Sequence, residues 1–224
     1  MPVTDDPVTG EVPLARTSPS TGDPAPQVRA DPLEVEARKA RLRSALRERR
    51  RQRDAAESTA LDAALARTLL ACPLLQGCAR VALYASRPGE PGTRSTLDAL
   101  RRQGVDVLLP VLRADADLDW ELRAAAAPAR GSHPPRGPVG PHAVAGADLV
   151  LVPALAVDTA GWRLGQGGGS YDRALRRVPP RVPVVAVVHD DEVLDAAVSP
   201  LPVLPHDRPV QGVVTPTRWL WLLA

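Results

Sequence analysis

The chain has 224 residues, 44% of them apolar and 24% charged, which is the balance of a globular chain with one sizeable core or two small ones. A formal net charge of +2 gives no global field toward nucleic acid or an anionic membrane. No apolar run approaches the roughly 20 residues that span a bilayer. Met1–Asp6 lacks the basic start and apolar centre of a signal peptide, so the expected location is the cytoplasm. Cys72 and Cys78 match neither a zinc knuckle nor a redox pair and read as reduced thiols. Lys39 is the only lysine among 28 basic residues.

Residues 1–31 are rich in Pro, Thr, Ser, Asp and Gly, with no apolar period, and predict a disordered tail. From Pro32 to Leu70 there is no internal Gly or Pro, which predicts one long helix, or two broken near Ser58 with Ser58 or Thr59 as cap. The first half of this stretch, residues 38–53, is crowded with arginine; apart from Lys39 and Arg43 it reads as a solvated helix face. Val81–Ala85 reads as a buried strand, followed by the loop Arg87–Gly92 and a helix from Arg94 to Gln103, capped by Thr93 and stopped by Gly104. Strands follow at Val105–Leu109 and Leu118–Leu122, then a patternless stretch over 124–147. Asp148–Val152 is a further strand, and a long loop leads into a helix over Ser170–Arg177. Val182–Val188 and Gly212–Thr215 complete the set, and Trp219 and Trp221 are expected to cover the core.

Strands that read as continuous Val/Leu runs between helices argue a mostly parallel sheet covered on both faces. The expected fold is α/β: a single three-layer α/β/α domain over 32–224, after the tail at 1–31. Ligands in such folds sit at the carboxyl ends of strands, so the loops after Ala85, Val152 and Val188 are the places for a site.

One of these loops carries the run Gly161-Trp162-Arg163-Leu164-Gly165-Gln166-Gly167-Gly168-Gly169-Ser170-Tyr171-Asp172. Its glycines allow the backbone to turn amides inward with no Cβ in the way. A helix starting near Ser170 would add free amides and its dipole, Arg163 a fork suited to phosphate oxygens, and Asp172 a ligand for Mg²⁺. The run fits neither a Walker A loop, which needs Lys before Ser/Thr, nor a dinucleotide fingerprint, which follows its strand directly. Taken on glycine count alone it reads as a flexible turn, and the flanking Arg163, Tyr171 and Asp172 move the balance toward a binding site.

The block from Asp148 to Pro153, with Asp158, Gly161 and Arg163 to Asp172, resembles the 5-formyltetrahydrofolate cyclo-ligase family. Lys39-x-x-Leu42-Arg43, Tyr84-Ala85-Ser86 with Gly89-Glu90 and Thr93, Pro110, Leu118–Trp120, His206-Asp207 and Val213–Thr215 agree in order. The resemblance covers about residues 36–216 and implies an enzyme that joins ATP hydrolysis to ring closure of 5-formyltetrahydrofolate. It implies that Lys39, Arg43 and Arg163 are catalytic cations on the ATP phosphates, and that Arg163, Leu164, Gly165, Gln166, Gly167, Gly168, Gly169, Ser170 and Tyr171 wrap ATP. Ala85 and Glu90 would meet the folate, with Gln166, Gly169, Ser170 and Tyr171 touching it too, and Asp172 and Asp207 would hold Mg²⁺. The implied partners are a small-molecule folate and ATP, with no nucleic acid or membrane, in a monomer. Relatives often carry Lys at Gly168, Tyr at Ser170 and Glu at Gly140, which leaves a catalytically weakened folate- or nucleotide-binding relative as an alternative. An RNA-binding protein using the basic helix over 38–53 is another.

Overall fold

A computed structural model of the chain describes residues 31–126 and 137–222. The tail expected over 1–31 lies outside the described residues except for Asp31, which belongs to the domain. Its carboxylate accepts from the Leu33 amide at 2.9 Å and caps helix α1, Pro32–Arg51. Helix α2 is Ala55–Ala71. The break between them falls at Gln52–Asp54, earlier than the expected Ser58. Asp54 is the cap, accepting from the Glu57 amide at 2.7 Å. Ser58 and Thr59 lie inside α2, where their hydroxyls donate back to the carbonyls of Asp54 and Ala55.

The remaining elements follow the expected order with shifted ends. Strand β1 is Arg80–Leu83, α3 Arg94–Arg102, β2 Asp106–Leu112, β3 Leu118–Arg123 and β4 Leu149–Pro153. Thr93 stands at the cap of α3, but its hydroxyl donates to the Tyr84 carbonyl at 2.7 Å and caps nothing. Within the expected long loop lie two short strands, β5 Ala156–Asp158 and β6 Arg163–Leu164. Helix α4 is only Ser170–Leu175. Then come β7 Val184–Val187, β8 Val193–Leu194, β9 Gly212–Val214 and β10 Trp219–Trp221.

The large sheet has the order β10-β9-β7-β4-β1-β2-β3, and a small one the order β6-β5-β8. In the large sheet β9, β7, β4, β1 and β2 are parallel, and β10 and β3 are antiparallel edges. The period of two along a strand explains the unbroken apolar runs. Val81, Leu83, Leu149, Leu151, Val185 and Val187 point to the face covered by Leu65 and Leu69 of α2 and Leu100 of α3. Ala82, Val150, Val152 and Ala186 point to the other face, against Val144, Ala174 and Leu175. Both faces are covered, which makes three layers around a mostly parallel sheet. Helix α1 packs instead on the small sheet, through Leu46 against Leu155, Ala156 and Leu164.

Trp219 and Trp221 do not cover the core. They are 41% and 39% exposed on the edge strand β10, and Leu220 between them packs inward. Cys72 and Cys78 are free, as expected.

Candidate active site

In the large sheet β2 lies on one side of β1 and β4 on the other, so strand order reverses there and the carboxyl ends of β1 and β4 part into a crevice. A cavity of about 560 Å³ occupies it. Tyr84, Ala85 and Ser86 line it after β1, Pro153 at the end of β4, and Pro110, Leu112 and Leu118 from the β2–β3 hairpin. The opposite wall is Arg163 to Asp172, roofed by Glu36, Lys39 and Arg43 of α1, with Asp207 beside them. Every residue expected at the site, from Lys39 to Asp207, lines this one cavity. Of the three loops anticipated, those after β1 and β4 supply it. The residues just after Val188 lie behind the β1 loop, and the connection they begin reaches the cavity only further on, at His206 and Asp207.

Lys39 is 3% exposed and its ammonium stands 2.5 Å from Asp207. Arg163, at the end of β6, is 9% exposed and stands 2.5 Å from Asp172. The site thus holds two close cation–carboxylate pairs, beside a looser one between Arg43 and Glu36 at 3.5 Å. In each carboxylate one oxygen is committed: Asp207 Oδ2 also accepts from the Leu204 amide, and Asp172 Oδ1 from the Arg208 amide. Asp207 Oδ1 and Asp172 Oδ2 accept no hydrogen bond among the described residues. The described residues hold no cluster of three or more metal-ligating side chains.

Helix α1 also grips the ascending limb of the glycine loop. Arg43 Nε donates to the Gly165 carbonyl at 3.0 Å, and Arg47 donates to the side chain and carbonyl of Gln166 at 2.9 and 2.8 Å. At Gly167 φ is +103°, which only glycine adopts without strain, and a Cβ there would lie 3.4 Å from the Arg43 guanidinium. The amides of Gly167, Gly168, Gly169 and Ser170 donate to no protein acceptor among the described residues.

The loop after β1 is tied from three directions. Thr93 and Ser86 exchange hydrogen bonds from amide to hydroxyl, at 3.3 and 3.2 Å. Asp62 of α2 accepts from the Gly92 amide at 2.6 Å. His189 Nε2 lies 3.4 Å from the Gly89 carbonyl. Within the loop Glu90 accepts from the Arg87 amide at 2.9 Å and still faces the cavity. Across from it Tyr171 is packed among the core side chains; burial pushes its phenol well above the ordinary range, and the negative charge of Glu90 adds to the shift. It is therefore a neutral donor at any working pH.

Most arginines of α1 lie on the exposed face, as expected, but several also bond to the rest of the domain. Arg50 is buried and donates to both oxygens of Glu192 at 2.7 Å and to the Ala154 carbonyl at 2.6 Å. Arg49 and Arg53 pair with Asp191, and Arg38 donates to the Pro200 carbonyl. These bonds fasten α1 over the cavity. No local pattern signals them, because their partners lie a hundred or more residues away. Asp158 orders its own loop by accepting from the Trp162 amide, and also accepts from the Leu201 amide, both at 2.9 Å.

Comparison with known proteins bears on the whole of this domain. The pattern of the 5-formyltetrahydrofolate cyclo-ligase family matches residues 35–216. A 5-formyltetrahydrofolate cyclo-ligase of Mycolicibacterium smegmatis is 42% identical over 149 residues, covering 62% of this chain and 74% of the relative. Its counterpart in Escherichia coli is 30% identical over 185 residues, covering 79% of this chain and 100% of the relative. The NMR structure of the Aquifex aeolicus 5,10-methenyltetrahydrofolate synthetase superposes with a TM-score of 0.67 at 26% identity, over 83% of this chain and 93% of that one. A fold confined to one domain, a cavity at its strand reversal and a match from the first helix to the ninth strand lead to one assignment: the chain is an enzyme of the 5-formyltetrahydrofolate cyclo-ligase family.

Proposed function

We propose that the protein uses ATP and Mg²⁺ to close 5-formyltetrahydrofolate to 5,10-methenyltetrahydrofolate, releasing ADP and phosphate. The observation that carries this reading is the convergence of Lys39, Arg43, Arg163 and the unused glycine-loop amides on one wall of a cavity whose other wall presents Glu90 and Ala85. The first wall suits a triphosphate and the second a flat, hydrogen-bonding ring system.

The chemistry asks little acid–base work of the protein. A formamide oxygen is a poor leaving group, so direct closure is slow. The formyl oxygen attacks the γ-phosphorus, the bond to the β-phosphate oxygen breaks, and ADP leaves. N10 then attacks the formyl carbon, its proton passes to solvent, and the C–O bond breaks to release phosphate. Lys39, Arg43 and Arg163 hold and neutralise the phosphoryl oxygens, and the loop amides fix their orientation. Helix α4 has only six residues, so its dipole is a minor part of this cradle beside the amides and side chains. Glu90 accepts from the pterin nitrogens, and Gln166, Gly169, Ser170 and Tyr171 lie between the two ligands. Asp172 and Asp207 suit Mg²⁺, which is commonly held by one or two carboxylates together with substrate phosphates. Each offers one oxygen that accepts no hydrogen bond among the described residues. The metal would neutralise charge on the triphosphate. The docking of the α1 arginines onto the domain argues against an RNA-binding face on that helix.

The test is to mix protein, MgATP and 5-formyltetrahydrofolate and follow the absorbance of the conjugated methenyl product. Product formation in step with ADP release is expected. No product, with ATP intact, refutes the reading and favours a binding protein without turnover.

A further inference from the structure

The glycine loop is held on its ascending limb by Arg43 and Arg47. Its descending limb has a different anchor, which does not line the cavity. The Arg173 side chain, one turn into α4, runs back beneath the loop. Its Nη2 donates to two carbonyls, Gly168 at 3.0 Å and Ala116 at 2.5 Å. Ala116 is the tip of the β2–β3 hairpin and has φ of +61°, the only described residue other than glycine with positive φ. A Cβ at Gly169, itself at φ +66°, would come within 2.9 Å of Arg173 Nη1, so the guanidinium fills the space under that glycine.

Arg173 makes no ion pair among the described residues, and its Nε is buried without a partner. The neighbouring Arg177 is the contrast. It binds the same hairpin through the carboxylate of Asp117, with Nη1 at 3.1 Å, and touches no part of the glycine loop. A structural clamp between helix and hairpin is thus already present without Arg173. What Arg173 adds is a hold on the Gly168 carbonyl and a positive charge behind the loop, near Asp117 but in no ion pair with it.

We propose that Arg173 is a positioning residue for the ATP-binding loop. By keeping the Gly168 carbonyl turned toward the hairpin, it leaves the following amides free to face the cavity, and its charge reinforces their attraction for phosphate. The inference rests on the reading of the loop as the ATP cradle. It makes no claim on the folate wall, because Ala85 and Glu90 stand on the loop after β1, which Thr93, Asp62 and His189 hold without Arg173.

The test is calorimetric binding of MgATP, and separately of 5-formyltetrahydrofolate, to the full chain and to Arg173→Ala, Arg173→Lys and Asp117→Asn, with thermal midpoints for each. Loss of a charge-assisted hydrogen bond to the loop predicts about tenfold weaker ATP binding in Arg173→Ala. Folate binding should stay within about twofold by the same reasoning, and Arg173→Lys, with one ammonium for two carbonyls, should regain part of the loss. Asp117→Asn should lower the midpoint and leave ATP affinity unchanged. Undiminished ATP binding in Arg173→Ala overturns the proposal. So does an equal loss for both ligands, or a loss of ATP affinity in Asp117→Asn that matches its loss of stability. Absence of ATP binding by the unaltered chain overturns the ATP reading itself, and the role of Arg173 with it.

Discussion

Replacing Glu192 by alanine tests how the roof of the site is fixed. Glu192 is 0% exposed and Arg50 is 6% exposed, and the two share two hydrogen bonds of 2.7 Å. Without the carboxylate, the Arg50 guanidinium keeps only the Ala154 carbonyl, and the His189 amide loses its acceptor as well. Breaking one side of a buried ion pair costs about 3–5 kcal/mol, because a desolvated charge is left behind. For a domain of this size that is a fall in thermal midpoint of roughly 6–20 °C. Urea unfolding should show the loss as a lower midpoint at unchanged slope. The paired replacement Arg50→Met with Glu192→Leu should recover most of it, since both charges are then gone from the interior. A single-variant loss below about 1 kcal/mol, the scale of a surface pair, would refute the reasoning. A double variant no more stable than Glu192→Ala would refute it equally.

Two further outcomes follow from the charges around the cavity. Burial, aided by Arg53 and Arg50 and opposed by Glu192, holds the pKa of His189 below its ordinary value. With the folded value depressed, its contribution to stability is present above the unfolded value of about 6.5, and is lost as pH falls through the folded value. His189→Gln should therefore flatten the acid side of a stability–pH profile below about 6.5; an unchanged slope would remove His189 as its source. Because Asp172 and Asp207 are each paired with a cation, Mg²⁺ alone should barely raise the thermal midpoint, whereas MgATP, which offers phosphates to those cations, should raise it by several degrees. An equal shift with Mg²⁺ alone would contradict the exchange of partners.

Much of the sheet was legible because burial on both faces writes itself into β4 and β7 as unbroken apolar runs, whatever lies on top of them. The short strands β5, β6 and β8 were not, since two or three residues carry no period, and β8 finds its partner β5 more than 30 residues back along the chain. The α1–α2 break was misplaced for a similar reason: both Asp54 and Ser58 are good caps in composition, and only the packing of α2 selects one.

The candidate site divides the same way. The local run Arg163–Asp172, with its glycines and flanking charges, is a property of the sequence alone, and so is the order of blocks that marks the family. What the sequence could not determine is that Lys39 and Arg43 reach the cavity beside that run at all. Their approach depends on α1 being fastened by Arg50, Arg49 and Arg53 to acids some 140 positions away, and ion pairs between distant residues leave no local pattern. Nor does any spacing disclose Arg173 under the loop, because its two acceptors are backbone carbonyls, which every residue possesses. The chemistry of the site is written in side-chain types; its geometry comes from tertiary contacts made largely by main-chain atoms.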